Sequence, residues 1–171
     1  MSKKRIASFD VDQTLLDHKT YQIPESALRA VNELRKDFYI VLSTGRDMDN
    51  YYSKQYRDVI QPDAVIHLNG TKITVGGELI YEHEMDRTLL KEILNYADKA
   101  GYALGVTIGN EDYYLHPEVV EETDRLRWGR SERRFKDPRS LLDQGVRALA
   151  YIGKEDGAMD MAKMMAKAFE G

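Results

Sequence analysis

The sequence contains no cysteine. This excludes a disulfide scaffold and every cysteine-ligated zinc or iron–sulfur centre. It agrees with a reducing compartment, and the cytoplasm is the expected location. No apolar run approaches the roughly 20 residues that a membrane-spanning helix needs. The first five residues, Met1-Ser2-Lys3-Lys4-Arg5, are basic, but a short run ending in acid follows them rather than a signal-peptide apolar stretch. There is no excess of positive charge. Lys plus Arg is 25 and Asp plus Glu is 29, a net charge of −4, which argues against a nucleic-acid or anionic-membrane partner. Internal repeats and low-complexity tracts are absent as well. What remains is a globular composition, 42% hydrophobic and 32% charged. Its 171 residues suit one full domain or parts of two.

The first half alternates. Ile6 to Phe9 is a short apolar run that stops at Asp10. Pro24 to Lys36 is expected as a helix, with Ala27, Leu28, Val31 and Leu34 on one stripe. Phe38 to Leu42 is a continuous apolar run suited to a strand buried on both faces, and it stops at Ser43-Thr44-Gly45-Arg46. Asp49 to Ile60 is expected to be helical. Ala64 to Leu68 is a third short strand, stopping at Asn69-Gly70. Strand, helix, strand, helix, strand implies a parallel sheet with right-handed crossovers.

The second half follows another plan. Gly76-Gly77 between two β-prone runs signals a tight hairpin. Leu89 to Gly101 reads as a helix, and Ala103 to Ile108 and Tyr113 to His116 as strands. Arg125 to Arg139 is polar and basic, Arg147 to Ile152 a strand, and Gly157 to Phe169 a helix. This is an α+β module with its boundary near Gly76 to Tyr81. Three parallel strands and two helices make a weak core, because such sheets normally have both faces covered and more strands.

The sharpest chemical signal is Asp10-Val11-Asp12 at a strand end. Ligands of open α/β sheets bind at carboxyl ends of strands. Two adjacent carboxylates repel, and a cation relieves the repulsion. Magnesium suits such a place, taking one or two carboxylates plus phosphate and water. A carboxylate beside the metal can attack phosphorus and form an aspartyl-phosphate, while its neighbour moves protons. An acidic turn or helix cap is the bland alternative. Ser43-Thr44-Gly45-Arg46 offers a hydroxyl and a glycine-freed amide for phosphate oxygens, against ordinary turn chemistry. Asn69-Gly70 alone reads as a plain turn. Together, all three fall on one edge of one parallel sheet.

These motifs, Asp10-Val11-Asp12-Gln13-Thr14, Thr44-Gly45-Arg46 and Asn69-Gly70-Thr71-Lys72-Ile73, resemble those of the haloacid dehalogenase (HAD) superfamily, in particular its Cof-type sugar-phosphatase branch. The resemblance is firm over Met1 to about Glu82 and looser beyond. It implies an α/β fold: an incomplete Rossmann-like parallel-sheet core over residues 1–79, then a partial α+β cap domain over 80–171. It further implies Mg2+-dependent hydrolysis of a small phosphorylated metabolite such as a sugar phosphate. Asp10 is then the nucleophile. Asp12 is the general acid/base and lends its main-chain carbonyl to the metal, so the implied metal ligands are Asp10 and Asp12. Thr44 binds the transferring phosphoryl, Gly45 offers an amide, and Arg46, Asn69 and Gly70 face substrate or cap. Gln13 stands where glycine is common. A charge-neutralising lysine and a late Gly-Asp-x-x-Asn-Asp-like motif are missing.

Two other readings stay open on the sequence. One is a catalytically incomplete fragment or phosphate-binding module with little turnover. The other is a compact capless phosphatase in which Asp156 and Asp160 supply the missing metal ligands; a strand followed by a capped helix is the simpler reading of that region. His18, His67, His83 and His116 are isolated and read as non-catalytic. The basic run from Arg125 to Arg139 reads as a solvated cap face or loop. Met159, Met161, Met164 and Met165 read as helix core.

Overall fold

The computed structural model describes residues 4–153 and 155–168. The chain divides into two compact units, Met1–His83 and Glu84–Gly171.

The first unit is a five-stranded sheet in the order β1 (Arg5–Phe9), β2 (Phe38–Ser43), β3 (Ala64–His67), β4 (Lys72–Val75), β5 (Glu78–Glu82). The first three run parallel, with Phe9 beside Leu42 and Ser43 beside Ile66; β4 and β5 return antiparallel. Gly76 and Gly77 both hold positive φ (58° and 85°), the backbone that a two-residue hairpin turn requires. Helices α1 (Glu25–Leu34) and α2 (Lys54–Ile60) follow β1 and β2. Val31 of α1 and Tyr56 and Ile60 of α2 bury against Ile40, Leu42 and Val65. Deleting such a side chain to Ala costs about 2–5 kcal/mol. By register, Ile6 and Tyr39 share the other face of the sheet, and both are exposed.

The second helix is shorter than the sequence suggests. Residues 47–53 fold into turns because Asn50 Oδ1 accepts the N–H groups of Tyr52 and Ser53, and Asp47 Oδ1 accepts that of Asp49. Short polar side chains that bond nearby amides compete with helix.

The second unit is a three-stranded antiparallel sheet, β7 (Glu111–Tyr114), β6 (Leu104–Ile108), β8 (Ala150–Tyr151), with α3 (Arg87–Ala100), α4 (Pro117–Trp128) and α5 (Glu155–Ala168). Asp86 caps α3 by accepting the Leu89 N–H, and Leu90, Leu94 and Ala97 pack with Leu104 and Tyr113. The expected strand at Arg147 to Ile152 shrinks to the two residues of β8. The end of the expected final helix, Phe169, lies outside the described residues.

The basic run is not a uniformly solvated face. Its first part ends α4, and the Arg133 side chain is only 8% exposed. The Arg133 guanidinium forks onto Asp124 (Nε to Oδ2 2.8 Å, Nη2 to Oδ1 3.1 Å) and reaches Asp112 (3.2 Å). Asp112 is fully buried; it also accepts the Thr107 hydroxyl and the Arg134 N–H. The main chain of residues 134–136 pairs with Asp112 as well, which lays this segment alongside β7. Breaking a buried pair by removing one partner leaves uncompensated charge. Arg133→Met is therefore expected to destabilise the protein by about 3–5 kcal/mol in urea denaturation. Arg125→Ala, whose exposed side chain pairs among the described residues with the part-exposed Glu121, is expected to change stability by less than about 0.5 kcal/mol.

Candidate active site at the carboxyl edge of the parallel sheet

Parallel pairing sets the three motif loops side by side. Asp10 follows the last residue of β1, Thr44 the last of β2, and Asn69 lies two residues past β3. Main-chain bonds join two of the loops: the Thr44 N–H donates to Ile66 O (3.0 Å), the Asn69 N–H to Thr44 O (3.1 Å) and the Leu68 N–H to Arg46 O (3.2 Å). The Thr44 hydroxyl, almost fully buried, accepts the Arg46 N–H at 3.1 Å. A Cβ at Gly45 would stand 3.3 Å from Asn69 Oδ1, so a bare glycine lets the two loops approach. Gly70 continues a short 3-10 turn, Leu68–Gly70.

The third loop joins through charge. Arg46 grips the Asp12 carboxylate with two parallel bonds, Nε to Oδ2 at 2.6 Å and Nη2 to Oδ1 at 2.7 Å. Such a fork is among the stronger polar contacts available to a protein. His18 Nε2 adds a third contact to Asp12 Oδ1 at 2.9 Å. The Arg46 hydrogen bonds hold the Asp12 carboxyl below its ordinary value of 3.8 despite partial burial, with the charges of Arg46 and His18 acting the same way. Asp12 is thus ionised and engaged. Asp10 differs: it is exposed, and among the described residues it has no hydrogen bond or ion pair.

A second ionic cluster flanks the first. Asp47, Asp49 and His67 bring their ligand atoms within 4.8 Å of one another, a spacing that could hold a metal ion. The donors do not suit one. Lys72 Nζ already bridges Asp47 (3.1 Å) and Asp49, and Arg57 also pairs with Asp49. His67 is fully buried with both ring nitrogens engaged, Nδ1 by the Met48 N–H (3.1 Å) and Nε2 by the Thr74 hydroxyl (3.1 Å). The family resemblance implies a different magnesium site, the carboxylate of Asp10, which has no hydrogen bond or ion pair among the described residues, and the main-chain carbonyl of Asp12. Two protein oxygens are the usual complement for this ion, which keeps its other positions for water and phosphate.

Lys72 is therefore committed to Asp47 and Asp49. Of the alternative metal ligands, Asp160 is exposed on α5, and the side chain of Asp156 lies outside the described residues. Two residues read as non-catalytic, His18 and His67, sit in these clusters. Sequence spacing gave no sign of it, because loops rather than helical periodicity bring them there. Gln13 holds φ 60°, and Leu68 and Asn69 hold 50° and 57°. A side chain in this left-handed region costs roughly 1–2 kcal/mol, and such strain collects at functional sites.

Burial pushes the Asp47 carboxyl up, but His67, Lys72 and the Asp49 N–H outweigh it and hold it well below 3.8. A depressed carboxyl contributes stability above its unfolded pKa and loses it as pH falls toward its folded value. Asp47→Asn is expected to destabilise by about 1.5–3 kcal/mol at pH 7. The gap from the parent chain should narrow once pH falls below 3.8, as read from urea midpoints at each pH.

Comparison with known proteins identifies the family and the fold. The family model for haloacid dehalogenase-like hydrolases matches residues 7–171. No curated protein matches the sequence. Among solved structures, a hypothetical protein of Geobacillus kaustophilus HTA426 superposes with a TM-score of 0.73 at 20% identity, over 95% of this chain and 62% of its own. A phosphatase of the haloalkanoate (HAD) enzyme superfamily from Bacteroides thetaiotaomicron gives 0.73 at 20% identity, over 95% and 61%. A HAD subclass IIB sugar phosphatase gives 0.70 at 20% identity, over 94% and 63%. The chain thus spans a little over three fifths of the length of these relatives. The expected HAD-type α/β core is the fold observed, and the chain belongs to the haloacid dehalogenase-like hydrolase family.

Proposed function

We propose that this chain carries the phosphoryl-transfer site of a Mg2+-dependent phosphatase acting on small phosphorylated metabolites of the sugar-phosphate class. One observation carries the proposal. Asp10 is an unpaired carboxylate at the end of β1, while every other acid of the two clusters, Asp12, Asp47 and Asp49, is neutralised by a named cation. Its solved relatives include a sugar phosphatase, which supports the substrate class.

Asp10 Oδ attacks phosphorus, the bond from phosphorus to the leaving oxygen breaks, and the phosphoryl rests on Asp10 as an acyl phosphate. In this reading the Thr44 hydroxyl and the Gly45 amide hold its oxygens, and Arg46, Asn69 and Gly70 face the rest of the substrate. Asp10 and the Asp12 carbonyl would hold magnesium, which would supply positive charge to offset that of the phosphoryl group. Asp12 delivers a proton to the leaving oxygen and later takes one from the water that frees phosphate. In the arrangement seen, Arg46 keeps Asp12 ionised. An arriving phosphate dianion competes for the same guanidinium, and releasing Asp12 in this way lets it take up the proton it must donate.

A phosphate-binding module with little turnover is the second reading. It is favoured by the commitment of Lys72 to Asp47 and Asp49, which withholds that lysine from the nucleophile. The lack of cysteine agrees with a cytoplasmic setting. No helix among the described residues is long and apolar enough to cross a membrane. Magnesium-dependent hydrolysis of an aryl phosphate separates the two readings. Asp10→Asn is expected to lower the rate at least about 1,000-fold while leaving the fold intact. Comparable rates in both chains would refute the nucleophile, and a folded parent chain without turnover would favour the binding module.

A further inference from the structure

Among the described residues the Asp12 carboxylate meets Arg46 and His18, which divide its oxygens. Oδ1 accepts from Arg46 Nη2 (2.7 Å) and His18 Nε2 (2.9 Å), while Oδ2 accepts from Arg46 Nε (2.6 Å). An ionised carboxylate accepts and cannot donate, so the His18 nitrogen is the donor. When an arriving phosphate draws Arg46 away, His18 is the partner that remains. The last torsion of an aspartate side chain is broad and roughly two-fold, so a carboxyl without a partner has no fixed direction. A bond at Oδ1 supplies that direction and leaves Oδ2 bare to carry a proton.

The loop holds His18 in place. The N–H groups of Leu15 and Leu16 donate to Val11 O (3.1 and 2.8 Å), and both side chains are buried, which folds the segment after β1 back on itself. Asp17 closes a strap beyond them. Its carboxylate accepts the Lys19 N–H (2.8 Å) and the Thr20 hydroxyl (3.2 Å), and its main chain bridges to Gln22. Tyr21 stacks on the His18 ring (centroids 6.1 Å apart, planes at 21°), and its carbonyl accepts the Tyr56 hydroxyl of α2 at 3.2 Å. The His18 side chain is still 41% exposed, so it is held against Asp12 without being part of the core.

We propose that His18 is a positioning residue for proton transfer to the leaving group: it pins Asp12 Oδ1 so that Oδ2 delivers the proton. The inference rests on the phosphatase reading above and assigns the atom through which its general acid acts.

The test compares the full chain, His18→Ala and His18→Gln with magnesium on two substrates. The p-nitrophenolate leaves without a proton, whereas the alkoxide of ethyl phosphate must be protonated as it leaves. The ratio kcat/KM covers the steps up to loss of the leaving group and so separates this proton transfer from the later hydrolysis. His18→Ala is expected to lower kcat/KM on ethyl phosphate about ten- to hundredfold, and on p-nitrophenyl phosphate less than about threefold. His18→Gln brings an amide donor to the same oxygen and is expected to restore most of the loss. Equal losses on both substrates, no loss on either, or no rescue by glutamine would overturn the positioning role and leave the phosphatase reading standing. A second readout needs no turnover. Nitrogen NMR of the metal-free chain is expected to show a proton on His18 Nε2, with a resonance that moves in Asp12→Asn; an unprotonated Nε2 would overturn the role. A folded parent chain that hydrolyses neither phosphate would overturn both readings.

Discussion

The parallel alignment of β1, β2 and β3 is the constraint on which everything else depends. Because these strands run in the same direction, their carboxyl ends share one edge, and the loops that follow emerge together. The register places Phe9 beside Leu42 and Ser43 beside Ile66. A slip of one residue would turn Ile40 and Leu42 out of the core and rotate every site residue away from its neighbours. The apolar cluster that buries Val31, Ile40, Leu42 and Ile60 is therefore what fixes the chemistry above it.

Charge then sorts the carboxylates that this alignment gathers. Arg46 serves Asp12, and Lys72 and Arg57 serve Asp47 and Asp49. The second cluster ties the segment after β2 to β3 and β4 through Met48, His67 and Lys72, and that segment begins with Arg46. A lysine can seem the natural partner for an added phosphate. Here its ammonium is held between two acids, and its place is structural. Of the acids gathered at this edge, Asp10 is the one with no hydrogen bond or ion pair among the described residues, and this is why we propose it as the nucleophile.

Much of this was legible in the sequence. The apolar runs ending at Asp10, Thr44 and Asn69 marked the three parallel strands, but the expected burial of both faces is not met, since Ile6 and Tyr39 on one face are exposed. Gly76-Gly77 gave the hairpin, because few other residue pairs accept its backbone. The rest needed three dimensions. The turns at residues 47–53 come from Asx bonding that helical periodicity does not reveal. Arg133 looks like one more surface arginine until Asp112 and Asp124, nine and more residues away, close around it. His18 meets Asp12 only because the loop after β1 doubles back, with a bridge between Asp12 and Leu16.

The most direct test of the account is to find which residue carries phosphate during turnover. The chain would be mixed with an acyl or aryl phosphate and magnesium, quenched in acid, digested and read by mass spectrometry. The expected result is one acid-stable, base-labile phosphoryl group on the peptide containing Asp10, stronger in the Asp12→Asn chain, where hydrolysis of the intermediate is slowed. A label on another residue, or turnover by a folded chain with Asp10 never modified, would contradict it.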